Sequence, residues 1–190
     1  MNSRSEHPAP TVVADEKQWY VMRFLYNDHP KLRALIAASG IETFTPMKWV
    51  VKTDRTGRRV KEQVPVLRDL YFVHATHTDI DPYVAAHPTF QYCYKRGGRY
   101  REPMVVPEAD MTRFIAAVQS SASPLYFTPG ELDIARGTRI RLIGGSLHGM
   151  TGILLKVKGA RSRRLIVELP QTICAAVEVN PDLIEVLPSA

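Results

Sequence analysis

Two clusters of positive charge and one glycine-dense turn are the stretches of this chain whose residue types point to chemistry. Between Lys48 and Arg68 stand seven Lys or Arg residues against only Asp54 and Glu62, with Arg58 and Arg59 beside the glycine of "TDRTGRRVKEQ". Further on, Lys95, Arg96, Arg99 and Arg101 surround Gly97-Gly98, interleaved with Tyr92, Tyr94 and Tyr100. Cations on turn tips neutralise phosphates without reading bases, and tyrosine faces offer stacking surfaces to unpaired bases. The bland alternative for each cluster is a solvated turn. The third stretch is "GGSLHGMTG", residues 144–152, where four glycines enclose Leu147 and Met150. Such an apolar pair on a tight corner either docks a partner or folds back over the core.

Other reactive residue types do not assemble into a site. His74 and His77 in "HATH" are three positions apart, so in a strand they point to opposite faces and make a poor chelate. Cys93 and Cys174 lie far apart in the chain, which gives neither a disulfide framework nor a cysteine zinc site and suits a reducing, cytoplasmic compartment. The chain carries no phosphate-binding Gly-Lys sequence and no nucleophile elbow, and it pairs neither cysteine with a nearby histidine. Binding, with no cofactor and no metal, is the expected mode of action. A net charge of +6 over 190 residues is a modest basic excess that favours an acidic partner such as nucleic acid. No apolar run reaches the roughly 20 residues of a membrane span.

The elements that must carry these groups divide at a composition break. After a loose arm, 1–18, the segment "WYVMRFLY" reads as a buried strand, and Pro30 opens a helix with Leu32, Leu35 and Ile36 at helical spacing and Gly40 at its end. "IETFTPMKWVVK" reads as strand, "TDRTGRRVKEQ" as a hairpin tip, and "VPVLRDLYFVHA" as the further strand it leads to. "DIDPYVAAH" suggests a short helix, "FQYCYKRGGRYREPMVV" a strand pair, and "PEADMTRFIAAV" a third helix. An α+β domain over 19–120 follows. Residues 121–132, rich in Ser and Pro, have linker composition. Beyond them, over 133–190, apolar residues alternate with period two: Ile140 and Leu142; Ile153, Leu155 and Val157; Leu165, Val167 and Leu169; Ile173 to Val179; Ile184 and Val186. Five short strands argue for a small bent β-barrel with glycine corners.

With these parts in order, "TRIRLIGGSLHGMTGILLKV" resembles a KOW motif, with Gly145, Leu147, Gly149 and Gly152 in its turn, and the upstream domain resembles the NGN domain of the NusG family. An NGN domain, a linker and a KOW domain are together more specific than either motif alone. Where the housekeeping member has an aromatic-Pro-Gly turn, this chain has Leu67-Arg68-Asp69, which resembles the specialised paralogues, the UpxY-type antiterminators of capsular polysaccharide operons.

The resemblance implies a monomeric transcription elongation and antitermination factor. It would bind the clamp helices of the largest RNA polymerase subunit through Phe24, Leu25, Tyr26, Leu70, Phe72 and Phe90. Strand alternation places Leu70 and Phe72 on one face and Tyr71 and Val73 on the other, and leaves open which face is core. The resemblance also implies a gate-loop contact at Thr76, His77 and Thr78, and upstream or non-template DNA near Arg58, Arg59, Lys95, Arg96, Arg99 and Arg101. Through the turn holding Gly145, Leu147, Gly149, Met150 and Gly152 it implies ribosomal protein S10 or Rho as a second partner. A ribosome- or RNA-associated KOW protein and housekeeping NusG itself are the competing readings.

Overall fold

The computed structural model describes residues 16–25, 30–128, 131, 137–156 and 163–188. Two antiparallel sheets and a separate ribbon organise them. In the first sheet the order is β2 (Glu42–Phe44), β5 (Leu70–Ala75), β1 (Gln18–Phe24), β6 (Phe90–Tyr92), with β7 (Val105–Val106) also on β1. Strand β1 is central because its aromatic and branched residues suit a strand covered on both faces. Tyr20, Met22 and Phe24 face helices α1 (Pro30–Ala38) and α2 (His77–Ala86), in one apolar cluster with Leu32, Ile36, Tyr71, Val73 and Ile80. Trp19 and Val21 point the other way, toward Leu70, Phe72 and helix α3 (Glu108–Ser120). Both faces of β5 are therefore core, and the alternation of Leu70/Phe72 with Tyr71/Val73 separates two cores instead of separating core from surface.

Strands β3 (Met47–Thr53) and β4 (Arg59–Pro65) form the expected basic hairpin, but as a ribbon outside both sheets. Its turn is closed by Asp54, whose carboxylate accepts from Thr56 and from the Arg58 N–H. Those bonds hold the Asp54 carboxyl below its ordinary range. The run 41–52 does not make one strand, because it breaks at Thr45-Pro46 between β2 and β3. Nor do β6 and β7 pair with each other. They follow one another along the same edge of β1, β6 against Met22–Phe24 and β7 against Trp19 and Tyr20, with a bridge between Tyr94 and Pro103.

The second sheet runs β13 (Ile184–Val186), β9 (Thr138–Leu142), β10 (Thr151–Lys156), β11 (Arg163–Leu169), β12 (Ile173–Val179), β8 (Leu125–Phe127). The five strands expected here are present, and β8 is an addition. It comes from the Ser/Pro segment read as a linker and pairs Leu125, Tyr126 and Phe127 with Ala176, Ala175 and Cys174. Strand β10 departs from the simple alternation. Ile153 and Leu155 pack with Ile166, Cys174 and Ala176, whereas Gly152 and Leu154 sit in the row of Ile140, Leu165 and Val167. The inward position at 152 must be glycine, since a Cβ there would lie 2.3 Å from the Ile166 carbonyl oxygen. Val157, expected in the same strand, is outside the described residues.

Helix α3 joins the halves. Its stripe of Met111, Phe114 and Ala117, flanked by Ile115 and Val118, is wider than a helix needs against one neighbour. It lies against β1 and also against β11 and β12, so one contiguous apolar cluster runs from Trp19 and Phe72 through Phe114 to Leu165, Val167 and Ala175. Arg164 fastens the connecting segment, donating to the Ser123 and Ala176 carbonyls and pairing with Glu178 at 2.7 Å.

Candidate functional site

The surfaces available to a partner follow from what the two cores consume. Phe24, Phe72 and Phe90 are fully buried and Leu70 nearly so. Phe24 stacks on Phe90 at 5.0 Å, and Phe72 packs near Phe44, which meets Phe114 edge-on at 6.2 Å. These four expected polymerase anchors are thus core residues, because β1 and β5 are covered on both faces and Phe90 of β6 packs into the core under α1 and α2. Leu25 is half-buried at the strand end, and Tyr26 lies outside the described residues.

What remains partly open is the margin of the same cluster. Phe44, Val66, Leu67 and Val118 are half-buried there, and the hairpin adds the exposed ring of Trp49. Together with Tyr126 and Phe127 of β8, most of these residues bound a cleft of about 670 Å³ between the ribbon and the end of α3. On the other side of the ribbon, a second cleft of about 1120 Å³ lies against α1, lined by Arg33, Lys48, Val50 and Tyr71. Sequence reading missed Phe44, Trp49 and Val66 as surface apolar groups. The available signal was Trp49 itself, a large aromatic in an otherwise charged hairpin.

The gate-loop candidates stand at a helix start. Thr76 follows β5 and caps α2, its hydroxyl accepting from the Asp79 N–H while the Asp79 carboxylate accepts from the Thr76 N–H. His77 and Thr78 are exposed on the first turn of α2. The His77 ring packs on Tyr20 and Tyr92, with Asp81 3.7 Å from its Nδ1. His74 points elsewhere, stacked on Trp19 between Glu42 at 3.1 Å and Glu108 at 3.4 Å. Among the described residues no group of His, Cys, Asp and Glu could hold a metal ion.

The cationic candidates are exposed, though unequally free. Arg58 and Arg59 flank the ribbon turn. Lys95 pairs with Glu102 at 2.7 Å, and the Arg99 N–H donates to the same carboxylate, holding the Glu102 carboxyl below its ordinary range. The Arg101 guanidinium lies over the Tyr100 ring at 5.4 Å, and Tyr100 is 88% exposed. Tyr92, by contrast, is no stacking surface. Burial and its hydrogen bond to Asp81 push its phenol far above the ordinary tyrosine range.

In the glycine turn, Leu147 and Met150 are both 8% exposed and belong to the shared core, so the apolar knob folds inward. Gly145 and Gly149 take the positive φ values, 68° and 80°, that let the turn reverse tightly enough to bury them. Ile143, Ser146 and His148 are what the turn presents outward.

The family model described as "Transcription termination factor nusG" matches residues 17–115, more than half of the chain. The chain belongs to the NusG family. The NusG match spans the first sheet and ends inside α3, so the second sheet lies beyond it. Among solved structures, the chain is similar to one titled "Domain interaction in Thermotoga maritima NusG", at 14% identity and a TM-score of 0.45, over 90% of this chain and 97% of that one. No curated protein matches this NusG-family chain. Among its described residues no helix is long and apolar enough to cross a membrane.

Proposed function

We propose that this NusG-family protein is a cytoplasmic, monomeric elongation factor that binds RNA polymerase and suppresses pausing or termination at a restricted set of operons, of the capsular polysaccharide type. The family match over 17–115 carries the reading. The cleft beside the ribbon supports it, because a helical partner such as the polymerase clamp buries apolar area best in a groove rimmed by a few large anchors. Trp49, Phe44 and Val66 supply those anchors in place of the buried phenylalanines. His77 and Thr78 face a second polymerase element, and Arg58 and Arg59 follow upstream or non-template DNA through its phosphates. The protein acts by binding and not by catalysis. The operon restriction is supported by Leu67-Arg68-Asp69 alone, and S10 or Rho would meet the outward residues of the glycine turn.

Capture of core RNA polymerase by the full chain tests the reading, beside a Trp49→Ala/Val66→Ser/Val118→Ser variant whose fold is checked by circular dichroism. Capture by the native chain with at least a tenfold loss in the variant is expected. Retained RNA without polymerase capture would establish the RNA-associated reading instead.

A further inference from the structure

A cleft of about 740 Å³ opens where the end of β6 meets the turn between β11 and β12. Its lining includes Arg23, Arg96, Tyr94, Met104 and Gln171, and no carboxylate. Neither guanidinium makes a hydrogen bond or ion pair among the described residues, in contrast to the ammonium of neighbouring Lys95, which Glu102 neutralises. Burial raises the Cys93 thiol in the same lining, with Arg23 opposing the shift and Asp69 adding to it, and Asp69 forms no ion pair with either guanidinium. Arg23 also breaks the alternation of its strand, standing on the face where Trp19 and Val21 are buried. Tyr94 leaves 44% of its surface exposed here.

Part of the lining comes from the other half of the molecule. Gln171 adopts φ 60°, a left-handed conformation that costs a side-chain-bearing residue about 1 kcal/mol or more. Beside it, the Thr172 hydroxyl, which donates to the Pro170 carbonyl at 3.1 Å, lies 3.6 Å from the Met104 sulfur, at the seam under the cleft.

We propose that this cleft binds a nucleoside phosphate. Two unneutralised guanidinium forks suit a phosphate, an open tyrosine face suits a base, and the Gln171 amide can donate to or accept from a base edge. The volume is that of an ordinary small-ligand site. Because Arg23 and Arg96 belong to the first half and Gln171 to the second, the ligand holds the two halves together. The phosphate can be that of a free nucleotide or of one residue in a single strand, and the chemistry of capture is the same.

The test is titration of the full-length protein with adenosine 5′-monophosphate, adenosine, inorganic phosphate and a dT8 oligonucleotide, read by calorimetry and by amide NMR shifts. Saturable binding of the monophosphate at least tenfold tighter than adenosine or phosphate is expected, with shifts at 94–104 and 169–173. At a hundredfold excess over Kd the Tm should rise by about 5–10 °C. Arg23→Ala/Arg96→Ala should weaken binding at least tenfold, and Gln171→Ala should weaken it by a smaller factor. Tighter binding of dT8 than of the monophosphate assigns the ligand to a strand, and equal binding assigns it to a free nucleotide. A monophosphate that binds no better than phosphate, or as well to the double variant as to the native chain, overturns the proposal. No polymerase is present, so this result and that of the polymerase capture stand separately.

Discussion

Individual side chains in this protein matter chiefly through the space they leave. At Gly152 the neighbour that a methyl group would strike is a backbone oxygen, which cannot rotate away, so β10 and β11 would have to part. Gly152→Ala should cost about 1–3 kcal/mol, measured as the shift of the urea midpoint at unchanged slope. Cys174 provides a pH-dependent readout of the same sheet. Burial pushes its thiol up to about 11 from an ordinary 9, with the Glu168 carboxylate adding to the effect. The unfolded chain releases that proton first, so this contribution is fully present below pH 9 and is lost as pH rises from 9 to 11. Unfolding free energy should therefore fall over that window, and Cys174→Ala should flatten part of the decline. A decline of unchanged size in Cys174→Ala would assign it to other groups.

At the scale of elements, the ribbon and helix α3 are opposites. The β3–β4 hairpin belongs to neither sheet, so replacing residues 51–61 with a two-residue Asn-Gly turn should lower the Tm by no more than a few degrees. Arg58→Ala/Arg59→Ala should likewise leave stability intact while reducing the log–log salt dependence of duplex binding by roughly 2, one per lost phosphate contact. Phe114 is the contrary case, and Phe114→Ala should cost about 3–5 kcal/mol, because its ring serves both halves of the core. Such differences also mark what was legible in the sequence. Strands β1 and β5, the three helices and the basic hairpin are written in local periodicity and turn residues. The role of each face of β5 is not, since alternation looks the same whether one side is wet or both are dry. Strand β8 is invisible for another reason. Its three residues gain strand character only from pairing with β12, and the surrounding Ser and Pro speak for a linker. At Gly152 the inward residue has no side chain to display, so the apolar pattern of β10 rests on Ile153 and Leu155, on the opposite face.

For the whole molecule, the shared cluster through α3 makes the halves one cooperative unit in this arrangement. Differential scanning calorimetry should show a single transition whose calorimetric and van't Hoff enthalpies agree, and two resolved peaks would show that the halves unfold independently. Any partner that takes the half-buried rim of Val66, Leu67 and Val118 competes with the same packing, so binding there and the closeness of the two halves are coupled quantities. Strand β8 then acquires a second meaning. It lies along the otherwise free border of β12, and a bare strand border is adhesive, a template on which a foreign chain can crystallise its own backbone. The tether between the halves is thus also the safety cover of the second sheet. If the halves swing apart and β8 is pulled away with the first of them, the bared border of β12 is open to misassembly with other copies of the chain.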